Sequence, residues 1–215
     1  MAQYLLITRP EHDYATRYLS VWAERFFELA KNKGYSVIDL YRKRANRKEV
    51  ESILRKRNPN FVIINGHGSD DAVSGHENEL LLIAGDNSSL LKGKITYAIS
   101  CRSARELGKE AGQYIDTTYI GYTEDFVFIY LEKYRSCLLE DKLAGLFLGP
   151  SNLVATTLLK GHPAKEAVLR AKQEFLRKIQ ELLLSEISTD KSSALRWLVW
   201  DMKHLTLCGD ENKKI

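Results

Sequence analysis

The stretch Phe61 to Ser69, FVIINGHGS, decides how the rest of the chain is read. Phe61 to Asn65 is a short apolar run bounded by Pro59, the pattern of a strand buried on both faces. The character then changes within one residue. Gly66 and Gly68 flank His67, so a histidine leaves the end of the strand in a glycine-rich loop. A second block has the same grammar: Ile95 to Ser100, ITYAIS, is an apolar strand followed at once by Cys101-Arg102-Ser103. Buried strands separated by amphipathic segments predict a mainly parallel sheet covered by helices on both faces. Ligands of such sheets bind beyond the carboxyl ends of the strands. If these two strands are neighbours, His67 and Cys101 reach the same rim.

The pattern extends outward from these blocks. Upstream, Gln3 to Thr8 reads as a strand ended by Arg9-Pro10. Asp13 to Lys33 has helical period, with Asp13 as N-cap and Gly34 as the stop. Tyr35 to Leu40 is a strand, and Arg47 to Arg57 a charged helix. Between the blocks lies a glycine- and acid-rich loop, Gly66 to Glu79, and then Leu80 to Ile83 as a short strand or extended segment. Downstream, Ser103 to Tyr114 reads as a helix and Thr118 to Tyr122 as a fifth main strand.

The remainder is mostly helical. Leu138 to Leu159 is expected to bend or break near Gly149-Pro150. Pro163 to Leu184 carries an apolar stripe from Ala164 through Phe175 to Leu182, with Pro163 in its first turn. Ser188 to Trp200 is a last helix and Leu205 to Leu207 a last strand. The expected fold is a three-layer α/β/α sandwich around a mostly parallel sheet. Residues 1–215 would form one domain, with a sheet core over 1–130 and extra helices plus the last strand over 131–215.

Composition narrows the function. The chain has 215 residues, 44% hydrophobic and 28% charged, with a net charge of +4. That is enough apolar material for one core. The mild positive charge forms no concentrated stripe, so no nucleic-acid partner is expected. Basic residues along Pro163 to Leu184 read as a solvated face. No apolar stretch approaches the roughly 18 residues that span a bilayer, and Met1 to Pro10 lacks the form of a signal peptide. The three cysteines, Cys101, Cys137 and Cys208, are too few for a disulfide framework and fit a cytoplasmic location. Cys137, on a helix, and Cys208, in the last strand, read as packing residues.

Cys101 differs because it sits between a strand and the helix expected from Ser103. Backbone N–H groups and the helix dipole there would favour a thiolate. His67 would act as general base and then as acid towards a leaving amine. The amides of Gly68 and Cys101 would face a developing oxyanion. Other chemistries find less support. His67 and His76 with Asp70, Asp71 and Glu77 match no standard ligand spacing, so no metal is expected. No nucleotide-binding glycine motif occurs, and no cofactor is expected.

FVIINGHGS and ITYAISCRSA resemble the His-Gly and small-residue-Cys blocks of the caspase-like (clan CD) cysteine peptidases. LTLCGDENKKI, Leu205 to Ile215, is similar to the terminal Leu-x-Gly-Asp-Pro segment of gingipain-like and CHAT-type members, with Glu211 in place of the proline. The caspase cysteine block is Gln-Ala-Cys-Arg-Gly. Here Ile99, Ser100 and Ser103 replace its Gln, Ala and Gly, so the resemblance is to the gingipain and CHAT side. It implies a cysteine endopeptidase with catalytic His67 and Cys101, an oxyanion hole from Gly68 and Cys101, and a thioester intermediate. By analogy it also implies a prokaryotic defence or regulated-proteolysis role and control by a regulatory partner protein. The substrate would be a protein or peptide. Acids near the rim, Glu11 and Asp13 after the first strand and Glu124 and Asp125 after the fifth, would favour a basic residue before the scissile bond, while Arg9 argues the other way. Two other classes stay open: a catalytically silent relative used as a binding module, and a non-proteolytic doubly wound protein with a small ligand at the sheet edge.

Overall fold

The computed structural model describes residues 3–184 and 189–215. In chain order its strands are β1 (Gln3–Arg9), β2 (Tyr35–Tyr41), β3 (Phe61–Asn65), β4 (Ala72–Ser74), β5 (Leu80–Ile83), β6 (Ile95–Ile99), β7 (Thr118–Tyr122) and β8 (Leu205–Gly209). Its helices are α1 (Tyr14–Ala23), α2 (Phe27–Asn32), α3 (Arg47–Lys56), α4 (Leu107–Gly112), α5 (Lys142–Leu159), α6 (Ala164–Leu183) and α7 (Thr189–His204). The main sheet has six strands in the order β2-β1-β3-β6-β7-β8. All pairings are parallel except β7 with β8. The hairpin β4–β5 is a separate two-stranded sheet.

Alternation along the strands divides the core into two layers. Leu5, Ile7, Phe61, Ile63, Tyr97 and Ile99 join Tyr18 and Trp22 of α1 and residues of α5 and α6 on one face. Leu6, Val62, Ile64 and Ala98 join Val50 and Leu54 of α3 and Leu107 and Ala111 of α4 on the other. This is the expected mostly parallel α/β/α arrangement. α7 is held outside it by a further cluster, in which Ala194 and Leu198 meet Phe147, Phe175 and Ile179. Leu205–Gly209 closes the sheet edge, where Thr118 Oγ1 donates to the Asp210 carbonyl at 2.5 Å.

Several local expectations differ. The helical run after Asp13 is split at Glu24–Phe26 by a tighter 3₁₀ turn. Pro150 does not interrupt α5. Its neighbours Phe147, Ser151 and Val154 are buried, and Tyr97 Oη donates to the Ser151 carbonyl at 2.8 Å, so tertiary packing offsets the roughly 3 kcal/mol that an interior proline costs. Pro163 is the N-cap of α6 rather than part of its first turn. Cys137 precedes a short 3₁₀ turn and is not on a helix. Ser188, the expected start of the last helix, lies outside the described residues.

The largest departure concerns the helix expected from Ser103, which begins at Leu107 and has only six residues. The intervening backbone is engaged elsewhere. The Ala104 amide donates to the Tyr122 carbonyl at 3.1 Å and the Glu106 amide to the Asp70 carbonyl at 2.9 Å. Those contacts stitch the loop after β6 to β7 and to the loop after β3, and the Leu107 amide turns to the Asp70 carbonyl at 3.3 Å instead of closing a helical turn on Ser103.

Candidate active site

Three adjacent strands, β1, β3 and β6, present their carboxyl ends side by side. The ladder pairs Asn65 with Ile99, so His67 and Cys101 each lie two residues beyond a paired position. The ends of β1 and β3 are locked together below the rim. Asn65 Nδ2 donates to the Thr8 carbonyl at 3.0 Å, and Thr8 Oγ1 accepts from the Asn65 amide at 3.1 Å. The chain turns outward between β1 and β2 and back to β3, so β1 and β3 flank a topological switch point, where open sheets form crevices.

His67 is held at that crevice by its backbone. Its carbonyl accepts from the Ser74 amide at 2.9 Å and from Ser74 Oγ at 3.2 Å. The glycines beside it allow close approach. A Cβ on Gly66 would meet the Ser74 carbonyl oxygen at 2.0 Å, and one on Gly68 would meet the Cys101 carbonyl oxygen at 2.5 Å. Gly68 is therefore in direct van der Waals register with the cysteine loop. β4 lies within the segment Gly66 to Glu79 expected to be loop, and it supplies the Ser74 contact.

Asp13 caps α1, accepting from the Thr16 amide at 2.8 Å through Oδ1. Its other oxygen, Oδ2, lies 2.6 Å from His67 Nε2. Burial works to raise the Asp13 carboxyl, but the hydrogen bonds with His67 and Thr16 outweigh it and hold the group below its ordinary range. A carboxylate accepting the Nε2 proton leaves the His67 lone pair on Nδ1. The first loop thus places a carboxylate on the histidine, a contact that sequence position alone does not reveal.

Cys101 and His67 line one cavity of about 130 Å³, together with Ala15, Leu19, Phe126 and Phe128. The thiol is half-buried, with Sγ 4.0 Å from the Phe126 carbonyl oxygen. Burial pushes it up to about 11, more than contact with the Phe126 backbone takes back, and Asp125 adds to the rise. The helix start expected beside the thiol at Ser103 is absent, and burial disfavours the thiolate. The short α4 begins at Leu107, six residues beyond Cys101. Among the described residues the amides of Gly68 and Cys101 donate to no carbonyl or side chain, so both are open to an incoming acceptor. Arg102, next along, has φ +55°, a left-handed turn that carries the chain away from the rim.

Glu11 and Asp13 line one surface depression, and each of the four acids expected to form a specificity pocket already has a partner. Glu11 is mostly buried and accepts from Arg42 Nε and Tyr41 Oη, each at 3.0 Å. Asp13 is on His67. Glu124 pairs with Arg105, and Asp125 lies 3.2 Å from Arg102 Nε. Arg9 turns inward, buried between Asp39, at 2.6 Å, and Glu24. Asp70 faces Arg102 and Arg105, and Asp71 accepts from Ser69 Oγ at 2.6 Å, so the acid-rich loop is spent on local pairing.

No known family's sequence pattern and no curated protein sequence matches the chain. Solved structures do. Over its whole length the chain is similar to the Arg-specific cysteine proteinase gingipain R, with a TM-score of 0.57, 11% identity and coverage of 47% of that chain. It is similarly related to a complex of the pro- and mature domains of the Porphyromonas gingivalis enzyme, with a TM-score of 0.55, 11% identity and 48% of that chain covered. The chain therefore shares the fold of these structures, a caspase-like α/β/α arrangement. It spans about half the length of these two structures. Among the described residues no helix is long and apolar enough to cross a membrane.

Proposed function

We propose that the chain is a cysteine endopeptidase in which Cys101 is the nucleophile, His67 the general acid/base and Asp13 the residue that orients His67. One observation carries the reading: His67 and Cys101 face one cavity while Asp13 holds the far side of the imidazole. Attack by sulfur on the scissile carbonyl carbon transfers the thiol proton to His67 Nδ1. The amides of Gly68 and Cys101 donate to the developing oxyanion. The imidazolium then protonates the leaving amine as the carbon–nitrogen bond breaks, leaving a thioester on Cys101. Water, losing a proton to His67, hydrolyses it. A neutral resting thiol suits this order, because the proton moves only when substrate is in place.

The cavity also bears on substrate preference. Among the described residues its lining carries no carboxylate, and Leu19, Ile99, Phe126 and Phe128 make most of its wall apolar. At about 130 Å³ it accommodates a small uncharged side chain rather than arginine or lysine. A basic residue would require Asp125 to leave Arg102. Control by a protein partner that covers the cleft is the regulation we propose, in keeping with the pro-domain complex among the similar structures.

A peptide-based thiol-reactive probe, located by mass spectrometry, tests the assignment. Selective labelling of Cys101, lost in His67→Ala with the fold intact by circular dichroism, is the expected result. A folded protein that leaves Cys101 unlabelled by any such peptide would favour a silent binding module instead.

A further inference from the structure

His12 takes no part in the reaction just described, yet its ring is packed into the site. Its side chain is only 12% exposed, and it meets the rings of His67 and His76 edge-on at 5.7 and 5.6 Å. Its Nδ1 is buried without a hydrogen-bond partner. Its Nε2 points at Asp13 Oδ2, 3.5 Å away, and at Asn78 Oδ1, 3.2 Å away. Asp13 Oδ2 is also the atom that His67 Nε2 meets at 2.6 Å. Two imidazole nitrogens and a carboxylate oxygen from two loops therefore converge, all within 4.8 Å of one another.

We propose that His12, Asp13 and His67 form a binding site for a divalent transition cation, zinc by its donor set, and that occupancy switches the peptidase off. Two ligands of tetrahedral zinc stand about 3.3 Å apart, inside the range these donors span. Two imidazoles and a carboxylate suit zinc better than magnesium or calcium, which prefer oxygen alone. The site has access to solvent: a surface depression of about 220 Å³, lined by Glu11, His12, Asp13, Tyr14 and Arg17, lies over it and leaves room for a water as fourth ligand. Binding releases to solvent the proton shared by His67 Nε2 and Asp13. An imidazole metallated at Nε2 carries its remaining proton on Nδ1. It then has no lone pair for the Cys101 proton, and attack stops. The binding stands on geometry alone; only the inhibition rests on the peptidase reading.

The test uses the full chain, stripped of metal by dialysis against a chelator. Zn²⁺ affinity is read by competition with a chromophoric chelator, in the wild type, His12→Ala, His12→Gln and Cys101→Ala. One equivalent bound by the wild type and by Cys101→Ala, with affinity lowered at least about tenfold in both His12 variants, is the expected outcome. Peptide-probe labelling of the His12 variants should match the wild type without zinc and persist when zinc is added. Absence of stoichiometric binding, wild-type affinity in the His12 variants, or loss of binding in Cys101→Ala would overturn the site, the last pointing to a thiolate complex. The Co²⁺ spectrum of the wild-type protein needs no variant: d–d bands without a sulfur charge-transfer band support the site, and a sulfur band refutes it. Binding without any peptidase activity would leave the metal site standing and count against the proposed function alone.

Discussion

Gly68→Ala is the substitution that tests the construction of the oxyanion site most directly. The added methyl would lie 2.5 Å from the Cys101 carbonyl oxygen, 2.9 Å from Ser100 Cβ and 3.2 Å from the Ala72 carbonyl oxygen. The first of these is about 0.9 Å short of the 3.4 Å at which ordinary contact begins. All three neighbours are backbone or first side-chain atoms, so none can swing away as a long side chain does. Relief requires the His67 loop and the Cys101 loop to part by most of an ångström. Overpacking of this kind costs about 1–3 kcal/mol, and for a chain of this length it should lower Tm by roughly 2–12 °C. Function should suffer more than stability. A displacement near 1 Å at reacting groups costs about 10²-fold, and here it moves one oxyanion donor relative to the nucleophile. The assay is the second-order rate of peptide-probe labelling at Cys101, measured well below the variant's Tm with circular dichroism as the control for folding. A Gly68→Ala protein that is folded and labels at the wild-type rate would refute the proposed packing of these two loops.

Three further predictions come from the charges around the site. In Asp13→Asn, Oδ1 still caps α1, because Asn is as good an N-cap as Asp, but the amide group facing His67 Nε2 becomes a donor and forces the proton onto Nδ1; kcat should fall about 10²-fold or more with the fold intact, and an unchanged kcat would remove Asp13 from the mechanism. Because burial lifts the Cys101 thiol to about 11, alkylation of that site by iodoacetamide, resolved by mass spectrometry, should keep rising from pH 7 towards pH 10; a plateau below about pH 9 would contradict a buried neutral thiol. Asp201 is fully buried, and burial drives its carboxyl well above the ordinary range despite a hydrogen bond from the Val127 amide at 3.1 Å. A raised acid favours the fold most below its unfolded value near 4, and that advantage is lost as pH rises towards the folded value, by up to about 1.4 kcal/mol per pH unit. Asp201→Asn should therefore flatten the decline of Tm between roughly pH 4 and pH 7, and an unaltered slope would count against the assignment.

The sheet is legible in the sequence wherever an element is buried on both faces. FVIIN and TYIGY match β3 and β7 residue for residue, because a continuous apolar run between turn residues has few other uses. β4 is not legible. Three residues, Ala72–Ser74, carry no period, and the strand exists because β5 and the His67 backbone offer it partners. The false start at Ser103 has the opposite cause. Ser103 and Glu106 have the spacing of a capping box, but the Asp70 carbonyl takes the Glu106 amide that Ser103 would cap. Local propensity was overridden by contacts made across the site itself.

The same reasoning explains why the positions of His67 and Cys101, the proposed base and nucleophile, are legible while their surroundings are not. A residue at a strand end is placed by its own strand, so His67 and Cys101 need only the neighbouring of β3 and β6 to meet. A charge is placed by its partner, and the partners here come from remote positions: Glu11 with Arg42, Asp13 with a histidine 54 residues away, Glu124 with Arg105. Counting acids near the rim therefore overestimates the negative charge open to a substrate. The pairing leaves an apolar cavity beside the thiol, and it places Asp13 against His67 Nε2, the contact on which its proposed orienting role rests. The order β2-β1-β3 is what brings this about, since it alone sets the loop after β1 against the loop after β3. That order is a property of the folded sheet. No spacing in the chain encodes it, and without it neither the Asp13–His67 contact nor the approach of His12 has a signal to be read.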